Sequence, residues 1–436
     1  MVRKNCAMGS LDMHTMIHCS IIIFFLGGLA TMSYYNQDAD KNNIEVSLLA
    51  ATTSSYSNTT TSTKVLDHHL KQMKINNAAP PTHTCDLFSG RWVYDNKSSH
   101  YPLYKEAECP YLEDSFACQT YGRKDTNYLQ WRWQPHHCDF PGFDSKAVVE
   151  KLKGKRVLFV GDSLNRNQYN SMICMLHSSI HGKKKVDGDG GNLHTFRATD
   201  HNISIDFYWA PMLVESIGDS PTSHHSNDRV VRMKTIEKHS RHWINADVLV
   251  FNSYHWWRSP VVKLAQSVET SLDGPNQVYE QIDYLTAYKM ALKAWSKWAL
   301  TQVDHSKTKM FFMGATPTHS RAKDWRGQYY PNCYGETEPL KEGELVRVTG
   351  IDSNMLNILE SSLRKLKAKG VNVDIINITQ LTQYRKDGHT TVYRKYWRPL
   401  TELQIKQPEL ASDCSHWCLP GVPDIWNELL LAFIFR

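Results

Sequence analysis

Apolar and polar positions divide the chain into stretches of different character. Residues 16–32, MIHCSIIIFFLGGLATM, are an uncharged run of about the minimum length for crossing a bilayer. Residues 33–84 are rich in Ser, Thr and Asn, end near a Pro pair and show no sustained periodicity, which predicts a lumenal stem or linker. Residues 85–140 hold four cysteines, many aromatics and few long apolar runs, the pattern of a loop-rich, disulfide-stapled subdomain. Beyond residue 141 the pattern changes again. RVLFVGDS (156–163), ADVLVFNS (246–253), KMFFMGATPTH (309–319) and VNVDIINIT (371–379) read as short buried strands. Helical patterns at 165–180, 279–303 and 351–369 lie between them. Such alternation predicts an α/β domain over 141–436, with a mostly parallel sheet covered on both faces. Functional residues are then expected at the carboxyl ends of the strands.

Composition narrows the class. The chain has 436 residues, 41% hydrophobic and 22% charged, enough to bury a large core and to exclude disorder throughout. The net charge is +6, with 50 Lys and Arg scattered among 44 acids, so no nucleic-acid partner is expected. The run Lys183 to Lys185 is read as a solvated loop. Aromatics reach 11%, and rings in that number serve equally as core residues and as the lining of a sugar groove.

Arg3 and Lys4 precede the apolar run, an order that suits an uncleaved signal anchor with residues 1–15 cytosolic and the bulk lumenal. A cleaved signal peptide is the alternative, because Gly-Gly-Leu-Ala offers small residues for cleavage. Sequons at Asn58, Asn96, Asn202 and Asn377 could take N-glycans in that compartment. Of ten cysteines, Cys6 and Cys19 fall in the tail and anchor, and the remaining eight are expected to pair.

Chemistry concentrates in two places. Ser163 follows an apolar strand and opens a helix, where Gly161 permits a tight turn and the helix amides could stabilise an oxyanion. Asp162 is expected to hold that turn. A serine hydroxyl needs a base, itself oriented by a carboxylate. The stretch DCSHWCLPG, Asp413 to Gly421, offers Asp413 and His416 three residues apart. Cys414, His416 and Cys418 also alternate as zinc ligands would, and a purely structural histidine is a third reading. Zinc sites usually add a second spaced pair, and lumenal cysteines usually form disulfides, so no metal is expected. Taken with Ser163, the catalytic reading is preferred.

The pairing of Gly-Asp-Ser with Asp-x-x-His resembles the GDSL or SGNH hydrolase superfamily. The chain is similar more closely to the plant trichome birefringence-like family of cell-wall polysaccharide O-acetyltransferases. That likeness rests on GDSLNRNQ (161–168), CDLFSGRWVYD (85–95), FYWAPMLVES (207–216), EKHSRHW (237–243), VLVFNSYHWW (248–257), ATPTHSRAKDW (315–325), NCYGETEPL (332–340) and DCSHWCLPG. It implies a three-layer SGNH-like catalytic domain and a single-pass type II Golgi membrane protein with its catalytic domain in the lumen. Ser163 would be the nucleophile, His416 the base and acid, and Asp413 the residue that orients it. Asn252 would contribute to the oxyanion hole or else cap a turn. Arg166 and Asn167 would touch acetyl oxygen or glycan, or else form salt bridges and caps.

The same resemblance, with the layout of the chain, implies disulfides Cys85–Cys138, Cys109–Cys174, Cys118–Cys418 and Cys333–Cys414. The segment from His255 to Arg258 would line a sugar cleft or pack in the core. No bound cofactor is implied, but an acetyl donor is required: acetyl-CoA, or an acetylated intermediate passed on by a membrane partner. EKHSRHW and FNSYHWW resemble the xylan-acting branch, so xylan is the expected acceptor, with mannan or another wall glycan as the alternative. An acetylesterase would share the same serine intermediate, and a noncatalytic glycan-binding protein is the reading from another class.

Overall fold

The computed structural model describes residues 85–95, 100–140, 142–188, 191–221, 229–267, 270–325, 327, 330–341, 344 and 350–436. The expected cytosolic tail, anchor and stem, with Asn58, and the sequon at Asn96 lie outside the described residues. No helix among the described residues is long and apolar enough to cross a membrane.

The central sheet grows from the apolar runs. Its strands are β1 (Arg156–Gly161), β2 (Lys184–Gly188), β3 (Leu193–Ala198), β4 (Ile203–Trp209), β5 (Val248–Phe251), β6 (Lys309–Met313) and β7 (Val373–Ile376). They lie in the order β7-β6-β5-β1-β4-β3-β2. The first five run parallel, and β3 and β2 close one edge antiparallel. Alternate side chains of β1 leave to opposite faces. Val157 and Phe159 join one core with α1 (Ser145–Leu152), α2 (Ser163–Leu176) and α5 (Val422–Ile434). Leu158 and Val160 join a second core with α3 (Tyr284–Gln302) and α4 (Ser353–Lys367). Helices on both faces explain why RVLFVG is apolar without a break. The result is a mixed α/β domain in three layers.

Several elements differ from the sequence expectation. The strand β4, ISIDFYW, was not among the expected runs; its Asp206 is buried and bonded by Arg156 Nε at 2.7 Å, which allows a carboxylate inside a central strand. Lys184 and Lys185 belong to the edge strand β2, not to a loop. Charged side chains are a common protection for a sheet edge. Residues Tyr279–Asp283 are a strand paired antiparallel with Val261–Ala265, in a small second sheet. The helix expected from 279 starts at Tyr284, where the Asp283 carboxylate accepts from the Thr286 N–H and caps it.

The Cys-rich segment pairs Gly90–Tyr94 antiparallel with Trp131–Pro135. Cys85–Cys138 closes it, Cys109–Cys174 fastens it to α2, and Cys118–Cys418 fastens it to the segment that leads into α5. Trp92 Nε1 also donates to the Leu381 carbonyl at 2.7 Å. The fourth disulfide is Cys333–Cys414. A cross-link spanning 300 residues removes much freedom from the unfolded chain. Replacing Cys118 and Cys418 together by Ala should cost about 3–5 kcal/mol, read from the guanidinium midpoint and slope. An unchanged midpoint would contradict the stabilising role of this bond.

Candidate active site

Asp413 and His416 lie on β9 (Asp413–Trp417), which pairs antiparallel with β8 (His389–Thr391). In a regular strand, residues three apart point to opposite faces. Here the Asp413 Oδ1 accepts the backbone N–H groups of Ser415 and His416, both at 3.0 Å, and the ladder with β8 is irregular. That local turn brings the two side chains together. His416 Nδ1–H donates to Asp413 Oδ2 at 2.7 Å, which leaves Nε2 to accept from the Ser163 hydroxyl, also at 2.7 Å.

Ser163 is placed by β1 and α2. Asp162 caps the helix by accepting the Leu164 N–H at 3.0 Å. Burial pushes its carboxyl up to about 6, against the pull of backbone N–H groups and the nearby His416. Gly161 is required by a close approach, because a Cβ there would sit 2.4 Å from the Asn252 carbonyl oxygen. Asn252 follows the carboxyl end of β5, is buried, and donates its N–H to the Val160 carbonyl. Among the described residues nothing hydrogen-bonds its carboxamide.

The other two expected contacts are used internally. Asn167 is buried and spans the Trp417 peptide, Nδ2 donating to its carbonyl at 3.2 Å and Oδ1 accepting its N–H at 2.9 Å. It therefore holds the strand beside His416, and both ends of its carboxamide are occupied by that backbone. Arg166 Nε bonds Glu113 of the Cys-rich segment at 2.9 Å. Cys414 and Cys418 are both in disulfides, so the zinc reading of DCSHWC fails. Among the described residues no cluster of three or more His, Cys, Asp or Glu could hold a metal. In the segment from His255, Trp257 is fully buried in the core, and His255 is held at 3.0 Å from both oxygens of Thr316. Burial, then Arg258, pushes the His255 imidazole down to about 3, so it is neutral. The sequons at Asn202 and Asn377 fall at exposed positions.

Two neighbours of the triad were not expected. Arg394 Nε lies 3.7 Å from Asp413 Oδ2, and the Phe116 ring lies 6.1 Å from the His416 ring between centroids. Neither stands in a motif: Arg394 is one of several cations in VYRKYWR, and Phe116 is distant in the chain. For Asp413, burial works upward, but the charge and hydrogen bond of His416, helped by Arg394, hold its carboxyl far below the usual range. For His416, burial works downward and the Asp413 carboxylate outweighs it, so the imidazole is raised above its ordinary value.

Serine, imidazole and carboxylate in line, at a strand-to-helix turn, can carry out acyl transfer. Comparison with known proteins places this geometry. Residues 140–433 match the PC-Esterase family, described as a GDSL/SGNH-like acyl-esterase family found in Pmr5 and Cas1p. The chain belongs to the PC-Esterase family. Residues 83–139 match the PMR5 N-terminal domain. Among its relatives is Protein trichome birefringence-like 34 of Arabidopsis thaliana, 50% identical over 353 residues, covering 80% of this chain and 84% of that protein. Xylan O-acetyltransferase 14 of Oryza sativa subsp. japonica is 44% identical over 378 residues, covering 80% of this chain and 77% of that one.

Two outcomes follow for this PC-Esterase site. Titrating His416 by NMR should give a midpoint above ~6.5, and Asp413→Asn should lower it, because the carboxylate is what favours the charged ring. A midpoint unmoved by Asp413→Asn would contradict the assigned pairing. Asn167→Ala leaves the Trp417 N–H and C=O buried and unpaired, and should cost about 2–4 kcal/mol in denaturant unfolding. A loss below about 0.5 kcal/mol would show that this clamp is dispensable.

Proposed function

We propose that this PC-Esterase member is a polysaccharide O-acetyltransferase acting on xylan through an acetyl-serine intermediate. The observation that carries the reading is the Ser163–His416–Asp413 line, held at 2.7 Å in both contacts, in a chain 44% identical to a protein named a xylan O-acetyltransferase. In the first half-reaction Ser163 Oγ attacks the acetyl carbonyl carbon of the donor while His416 Nε2 takes the hydroxyl proton. The tetrahedral intermediate collapses, the donor's leaving group takes that proton from His416, and Ser163 is left acetylated. In the second, a sugar hydroxyl gives its proton to His416 and attacks the acetyl-serine. Collapse returns the proton to Ser163 and releases the acetylated sugar. Asp413 keeps Nδ1 protonated and stabilises the imidazolium in both halves. The Leu164 and Asn165 amides are turned to the Asp162 carboxylate, which leaves the Asn252 carboxamide as the group suited to the oxyanion.

The donor is acetyl-CoA or an acetylated intermediate supplied by a membrane partner, and no cofactor need stay bound. The protein is a type II Golgi membrane protein anchored by residues 16–32. Four disulfides and two exposed sequons support a lumenal, oxidising address. An acetylesterase would use the same residues with water in place of sugar, a reading kept because the family is described as acyl-esterase.

Incubation with an acetyl donor and separate xylan and mannan oligosaccharides decides between these. Acetylated xylan oligosaccharides are expected, with a single acetyl group trapped on Ser163 when no acceptor is present. Ser163→Ala should lower transfer by about 10³-fold or more and abolish the trapped species. Release of free acetate without any acetylated sugar would favour the esterase, and transfer by Ser163→Ala at the original rate would overturn the mechanism.

A further inference from the structure

Beside the triad strand lie two imidazoles with no part in the proposed chemistry, His319 and His389, both fully buried. They form a chain between two carbonyl groups. His319 Nε2 is 2.9 Å from the Gln383 carbonyl oxygen, and His389 Nδ1 is 3.0 Å from the carbonyl oxygen of His416. The inner nitrogens, His319 Nδ1 and His389 Nε2, are 2.7 Å apart. A carbonyl oxygen only accepts, so each outer nitrogen must carry a proton. Two neutral imidazoles have one N–H each, and both are then used on the carbonyls. The inner contact would press two bare lone pairs together. Moving either proton inward mends that contact but sets a carbonyl against a bare ring nitrogen. Every contact in the chain is a hydrogen bond only when three protons are present.

We propose that His319 and His389 form a singly charged imidazolium–imidazole unit, with a proton shared between their inner nitrogens, which clamps the His416 carbonyl and so positions the base. The shared proton balances simply: it is taken from solvent and no bond other than N–H is made.

The surroundings act in both directions. Burial favours neutral rings, and taken one at a time His319 is pushed down to about 4 and His389 further, with His319 itself repelling charge on His389. Asp387 and Asp324 favour charge on His319, and Asp413 favours it on His389, while Lys386 and His416 oppose it. Arg385 bonds Asp387, Arg321 bonds Asp324 and Lys386 bonds Glu336, which tempers each of them. Arg123 donates to the carbonyl oxygens of His389 and Asp387. The Trp417 indole lies over the His389 ring, 3.9 Å between centroids and 30° between planes, and the Trp325 ring meets the edge of His319. Indole over a ring that carries part of a positive charge is favourable. One proton serves both rings, and hydrogen bonds in a chain strengthen one another in a low-dielectric interior.

The clamp complements Asn167: that residue holds the Trp417 peptide, and the imidazole pair holds the carbonyl just before it. The unit's charge also disfavours a second charge on His416, so it keeps the base available. That kinetic consequence rests on His416 acting as proposed above; the proton count does not. Nitrogen NMR of the intact protein with labelled histidine tests the count, the signals being assigned through ring-to-backbone connectivities and, where the variants fold, checked with His319→Gln and His389→Gln. Three protonated ring nitrogens in the pair are expected near neutral pH, and only two would overturn the proposal, even if both variants fail to fold. In folded variants the acid limb of kcat/KM should move up by roughly 0.5–1 pH unit, because the lost charge no longer opposes His416 protonation. A limb that stays in place while kcat falls would mean a merely structural pair and would overturn the positioning role. Should acetyl transfer itself prove wrong, a count of three protons would still stand.

Discussion

Both oxygens of Asp413 are occupied at once, and the geometry of the site depends on it. One oxygen accepts the N–H groups of Ser415 and His416 and turns the strand; the other accepts the His416 imidazole. Without the first, residues three apart in an extended strand would face opposite ways. Without the second, the tautomer that leaves Nε2 free for Ser163 would not be selected. A short acidic side chain therefore sets backbone shape and proton position together, and an Asn or Glu at this place could supply only part of that.

A turn of this kind is open to local motion unless its neighbours are fixed, and the surrounding elements supply the fixing. Disulfides leave from Cys414 and Cys418, on either side of His416. Asn167, one helical turn beyond Ser163, spans the Trp417 peptide, so the helix that carries the nucleophile also holds the strand that carries the base. The Cys-rich segment completes the frame through Arg166–Glu113 and through the Phe116 carbonyl, which accepts the Leu419 N–H at 3.0 Å. Loops alone rarely hold a reacting geometry to within a fraction of an ångström. Here the cross-links and buried polar contacts do so from several directions, which accounts for a loop-rich segment being kept beside a well-formed sheet.

The legible parts of the chain were those whose signal is local. RVLFVG, VLVF and KMFFM are apolar throughout because both faces of the sheet are covered, and Gly-Asp-Ser at the end of the first places the nucleophile. Asp413 and His416 could be read because they are near each other in sequence. ISIDFYW was harder, since Asp206 breaks its apolar pattern, and only its long-range partner Arg156 makes the burial tolerable. Asn167, at the helix start after the nucleophile, could be read as a substrate contact or as an internal cap; its partner is a peptide 250 residues away, which no local signal names. Arg394 and His389 stand in none of the motifs, and His319, although it lies within ATPTHSRAKDW, was given no role there. Their roles come from folding that brings distant segments against β9, and sequence periodicity holds no trace of that.

A base that must both take and return a proton works best with a pKa near the operating pH. His416 is drawn in both directions by its surroundings, with a net upward shift. Burial alone would leave it too weak a base to accept the Ser163 proton. Asp413, with a smaller contribution from Asp162, raises it, and Arg394 draws it back. A stronger pull from Asp413 would favour the imidazolium, which cannot accept the nucleophile's proton; burial opposes that pull first and Arg394 adds to the opposition. A guanidinium 3.7 Å from the carboxylate is close enough to temper that pull and too far to take over the hydrogen bond His416 needs. Acyl transfer in this site thus depends on the Ser-His-Asp line, with a smaller adjustment from the cation behind it, whose position was not visible in the sequence.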